Sequence, residues 1–171
     1  MKNKILIIIL ASFILIGIIC ILIFHGKFAN DEIINKLDIS YIKYSIGGGF
    51  GTEVECATKE VTIKDDGYVK FANTYNKSII KEFQIDKNLI EELEKYINEN
   101  RNVLSKKDIT DEHAMDASTE YIIIKTKNGE EYRIGGYCVI DNQFKLIAKK
   151  IIETVGKDNY RKYCDDIKRN V

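Results

Sequence analysis

The chain has 171 residues, with 26 basic and 26 acidic side chains and a formal net charge of zero. That length is short for a two-domain enzyme, and 45% hydrophobic residues is too many for a wholly disordered chain. Four cysteines are too few for a disulfide scaffold, and the even charge balance argues against a nucleic-acid binder, which needs surplus Lys and Arg.

Lys2 and Lys4 precede an uncharged run from Ile5 to Phe24. As a helix its 20 residues would reach about 30 Å, the thickness of a bilayer core. A cleavable signal peptide would have a shorter apolar region and small residues at its exit. The exit here reads Phe24-His25-Gly26-Lys27-Phe28-Ala29, which puts Phe24 or Lys27 where a small residue belongs. A lipoprotein would acylate Cys20, but Ile19 rather than a small residue precedes it. The expectation is therefore an uncleaved anchor over residues 1–25, contacting the lipid bilayer through residues 5–24. The basic residues before the span place the short tail in the cytoplasm and residues 26–171 outside the cell membrane.

Residues 26–37 read as a juxtamembrane connector, with Asn30 or Asp31 capping a short helix through Leu37. Residues 38–171 read as one extracytoplasmic domain. Ile39–Ile46 is an expected first strand. Glu60–Lys64 and Tyr68–Phe71 flank Asp66-Gly67, and Tyr121–Thr126 and Glu131–Ile134 flank Asn128-Gly129. Both dipeptides supply the positive φ of tight hairpin turns. Ile79, Ile80, Phe83 and Ile85 suggest another strand, entered near Asn76-Lys77.

Asp86 is a good N-cap, and Leu89, Ile90, Leu93, Tyr96 and Ile97 follow at helical spacing. After Asp141, residues Phe144, Ile147, Ala148, Ile151, Ile152 and Val155 form a second apolar stripe that Gly156 stops. Asp158 is placed to cap a short terminal helix with Tyr160, Tyr163 and Ile167. The resulting fold class is α+β: an antiparallel sheet with two or three helices packed on one face.

Gly47-Gly48-Gly49 follows the first strand. A phosphate-cradling loop would need a Lys-Ser/Thr pair opening a helix, and none follows. A bulge or a turn around the sheet edge is the better reading. Gly135 and Gly136 lie in the last strand. A binding groove would form if the two glycine clusters faced each other. Asp108, Asp111, Glu112, His113 and Asp116 could together hold a divalent cation. Their spacing fits neither a calcium loop nor a zinc protease, so a solvated acidic loop is favoured. A thiol hydrolase would need His113 beside Cys56, Cys138 or Cys164, and nothing local brings them together. Outside the cell a Cys56–Cys138 disulfide ranks first; in an anaerobic organism all three domain thiols would stay reduced. The strand tyrosines Tyr41, Tyr44, Tyr68 and Tyr75 would serve packing before glycan or peptide binding.

Ser45-Ile46-Gly47-Gly48-Gly49-Phe50-Gly51-Thr52, then Ala57–Ile63 and Asp66-Gly67, resemble small uncharacterised extracytoplasmic domains of low-GC Gram-positive bacteria. The resemblance spans roughly residues 38–155. Asp116 and Gly135-Gly136-Tyr137 fall in its later part. It implies a membrane-anchored domain and carries no catalytic residues. The function expected is a non-enzymatic binding module of the cell envelope, with an envelope protein, peptide or wall component as partner, no cofactor and no nucleic acid. An inhibitor or immunity-like protein is the alternative, followed by a metal-dependent protein using the 108–116 loop.

Overall fold

The computed structural model describes residues 36–48, 58–73 and 78–169. Six strands of these form one antiparallel sheet in the order β4-β3-β2-β1-β5-β6. The strands are β1 (Ile39–Gly47), β2 (Lys59–Lys64), β3 (Tyr68–Asn73), β4 (Ser78–Gln84), β5 (Thr119–Thr126) and β6 (Glu131–Tyr137). The first four run as a meander, and the β5–β6 hairpin then adds to the free side of β1. The turn near Asn76-Lys77 and the connector helix up to residue 35 lie outside the described residues.

Both hairpins form where expected. The Gly67 N–H donates to the Lys64 carbonyl at 3.1 Å, and the Gly129 N–H to the Thr126 carbonyl at 3.0 Å. Only the glycine of each loop has positive φ, +88° at Gly67 and +92° at Gly129. A type I turn closed by a left-handed residue needs glycine at that one place.

Strand alternation separates the two faces of the sheet. Ile42, Ile63 and Ile124 are partners in register, as are Tyr44, Val61 and Ile122, and all six are buried. Val69, Phe71 and Ile134 extend this face across β3 and β6. The helices α1 (Lys87–Glu99), α2 (Asn142–Thr154) and α3 (Lys157–Arg169) contribute Ile90, Leu93, Ile97, Phe144, Ile147, Ile151, Tyr163 and Ile167 to the same core.

Local chemistry sets the helix starts. Asp86 accepts from the Asn88 N–H at 2.9 Å, and Asp141 accepts from the Phe144 N–H at 2.9 Å. Each satisfies one of the donors a helix leaves open at its N-terminus. Two helix expectations need correction. Leu89, counted in the first apolar stripe, is 40% exposed. The terminal helix is not short: α3 runs 13 residues from Lys157, so Asp158 sits in its first turn. There its charge faces the positive helix end.

Tyr163 ties α3 to the sheet. Its ring stacks on Phe71 at 4.6 Å between centroids. Its hydroxyl donates to the Ala72 carbonyl at 2.6 Å and accepts from the Glu60 N–H at 2.8 Å. A packed helix face of this kind stabilises a helix more than its propensity does.

From Leu37 onward the chain is one compact unit. Among the described residues no helix is long and apolar enough to cross a membrane. The Ile5–Phe24 run lies outside them.

Candidate functional site

The glycines gather at one end of the sheet, on either side of β5. Gly47 pairs with Thr119 on β5, and on the other side Gly136 pairs with Glu120 and Gly135 with Tyr121. The two clusters do not face each other across a groove, because β5 runs between them in register. Gly49 lies outside the described residues. At Gly135 a Cβ would stand 2.0 Å from the Glu120 carbonyl oxygen, and its φ is +125°. A side chain there would collide with backbone. At Gly47 a Cβ would meet Thr58 Cα at 2.7 Å, and at Gly136 Thr110 Cγ2 at 2.8 Å. Gly48, with φ +84°, has Thr119 Oγ1 at 3.6 Å from its Cβ position. These glycines permit close packing of strands.

Beside them, on the helix-covered face, lies a group of phenols, a carboxylate and a thiol. The Tyr44 hydroxyl donates to Glu120 Oε2 at 2.8 Å. Burial, then the Glu120 charge, pushes the Tyr44 phenol far above its usual range. Burial, then the neighbouring Cys164, does the same to Tyr160. Cys164 is half-buried on α3, one helical turn beyond Tyr160. Burial raises Tyr163 likewise, so Tyr44, Tyr160 and Tyr163 all stay protonated. No described histidine joins this group. His113 is exposed in the 108–116 loop, and its imidazole makes no hydrogen bond among the described residues. A thiol nucleophile would need such a base.

The 108–116 loop is held to the segment just after β6. The Asp111 N–H donates to the Cys138 carbonyl at 2.9 Å, and Thr110 bridges to Val139. Asp116 turns the chain into β5 with φ +58°. Asp108, Asp111, Glu112 and His113 line a shallow, open depression of about 350 Å3 with Lys107, Thr110 and Ile140. Among the described residues no three His, Cys, Asp or Glu side chains converge as a metal site would require. The structure thus spreads these side chains along a surface loop. Neither Cys138 nor Cys164 is in a disulfide among the described residues, and Cys56 lies outside them.

The second face of the sheet carries the strand residues that alternate with the core. One row across the strands reads Glu82, Lys70, Thr62, Lys43, Ile123, Arg133 in register. A second carries Tyr41 between Lys64 and Lys125, and a third carries Ala72, Glu60, Ser45, Tyr121 and Gly135. Among the described residues only the small Ala72 is buried on these rows. Lys43 pairs with Glu60 at 3.2 Å. The Arg133 guanidinium lies 4.1 Å from the Tyr121 ring centroid, and Lys64 Nζ lies 4.7 Å from that of Tyr68. The expected tyrosine row is therefore divided. Tyr41 and Tyr68 belong to this face, Tyr44 belongs to the core, and Tyr75 lies outside the described residues. The sequence reading missed Lys70, Lys125 and Arg133 as a group. Their period-two alternation was visible, but cross-strand register alone sets them side by side.

No protein-family model matches the chain, and no curated protein matches it significantly.

Proposed function

We propose that the protein is a single-pass membrane protein whose extracytoplasmic domain acts as a binding module at the cell envelope. The observation that carries this reading is the second sheet face. Apart from the small Ala72 its described residues are half-buried or exposed, Tyr41 lies between Lys64 and Lys125, and Arg133 and Lys64 rest on the rings of Tyr121 and Tyr68. A face of that composition suits docking of another macromolecule, since aromatic and Arg side chains dominate binding surfaces. The basic-flanked Ile5–Phe24 run supports the membrane anchor and the outside location of the domain.

Site-specific photocrosslinking in native membranes tests the docking face. A photoreactive amino acid at Tyr41 or Ile123 is expected to trap a partner, whereas one at the exposed Leu146 on α2 is not. Crosslinks formed only from Leu146 would overturn the assignment.

A further inference from the structure

Among the described residues the second face carries five cations, Lys43, Lys64, Lys70, Lys125 and Arg133, against three glutamates, Glu60, Glu82 and Glu131. Beyond the N-terminal Lys2 and Lys4 the chain holds 24 basic and 26 acidic residues. The positive surplus is therefore local to a molecule that is otherwise acidic. Lys70 and Lys125 form no ion pair among the described residues. Tyr121 and Tyr68 hold Arg133 and Lys64 against their rings, so these cations lose little freedom on meeting an anion.

The cations are also evenly spaced. In the central row Lys70, Lys43 and Arg133 occupy alternate strands, and in the next row so do Lys64 and Lys125. Two strand spacings are about 10 Å, the scale of a disaccharide repeat. Resting on the docking reading of this face, we infer that it binds an acidic polysaccharide laid across the strands, its carboxylates or phosphates meeting Lys64, Lys70, Lys125 and Arg133, while Lys43 stays paired with Glu60.

Two other anionic partners fit less well. A nucleic-acid strand carries a phosphate at every nucleotide and stacks its bases on open aromatic faces. Lys64 and Arg133 already cover Tyr68 and Tyr121, which leaves Tyr41 as the uncovered ring of the three rows. A bilayer surface calls for protruding apolar side chains beside the cations. Among the described residues the exposed large hydrophobics are Leu89 and Leu146 on helices and Met115 and Ile140 in loops, none of them on a strand of this face.

The test uses the full chain in detergent with hyaluronan, which has one carboxylate per disaccharide. Single-stranded DNA, phosphatidylglycerol vesicles and neutral dextran are measured in parallel. Hyaluronan is expected to bind, to weaken as salt screens the contact, and to be preferred over all three. Replacing both Lys70→Gln and Lys125→Gln is expected to weaken it about tenfold, the effect of two exposed ion pairs. Replacing both Lys145→Gln and Lys149→Gln on α2 is expected to leave it unchanged. No hyaluronan binding at low salt would overturn the inference. Tighter binding of DNA or vesicles through Lys70 and Lys125 would overturn the polysaccharide and keep the docking face. Equal loss in the α2 variant would overturn both.

Discussion

Tyr163 joins α3 to two strands of the sheet. Its hydroxyl satisfies the Glu60 N–H and the Ala72 carbonyl, two backbone groups on neighbouring strands. A Tyr163→Phe variant keeps the stacking on Phe71 but leaves both groups without that partner. The cost of an unsatisfied buried polar group is about 1–3 kcal/mol. We expect a loss of that size in urea unfolding, with unchanged far-ultraviolet circular dichroism. An unaltered midpoint would mean that water replaces the hydroxyl. The stripe of Tyr160, Tyr163 and Ile167 was legible in the sequence as one helix face. The partners of Tyr163 were not, because they lie 103 and 91 residues away along the chain.

Helices and hairpins owe their ends to short-range chemistry, and those ends were legible. Asp86, Asp141, Gly67 and Gly129 each act within three residues of themselves. Asp141 does more than cap α2. Lys106 Nζ lies 2.7 Å from its Oδ2, and that hydrogen bond, opposed in part by burial, holds the carboxyl below its ordinary range. The unfolded value is about 3.9. A folded value below it means that the contribution is present above the unfolded value. It is lost as pH falls through the folded one. Asparagine caps helices as well as aspartate does. Asp141→Asn should therefore keep the cap, flatten the acid limb of stability below about pH 4, and lower neutral stability by under about 1 kcal/mol. Urea midpoints across that range check it; an unchanged acid limb would remove the ion pair from the account. The edge strand β4 shows a second local device. A register shift opposite Phe71 and Ala72, with Lys81 and Glu82 beyond it, discourages pairing with another chain.

For the full chain, the expectation is an anchored protein with its domain outside the cell. Alkaline washing of membranes should leave the protein in the pellet, and detergent should be needed to extract it. Protease added to intact cells should digest the domain. Extraction by alkali alone would sink the anchor, and a domain protected in intact cells would reverse the orientation.

Composition, turn residues, caps and alternation sufficed to place most described strands and all three helices, and to assign the α+β class. Each of those features works through sterics or hydrogen bonds between near neighbours. Strand order, the insertion of β5 between the glycine clusters, and the division of the tyrosines between core and surface required the folded molecule. So did the spaced cations of the second face. These depend on register between segments some 60 to 100 residues apart, such as the Lys43 and Ile123 pairing, and no local pattern encodes which distant strand a strand will join.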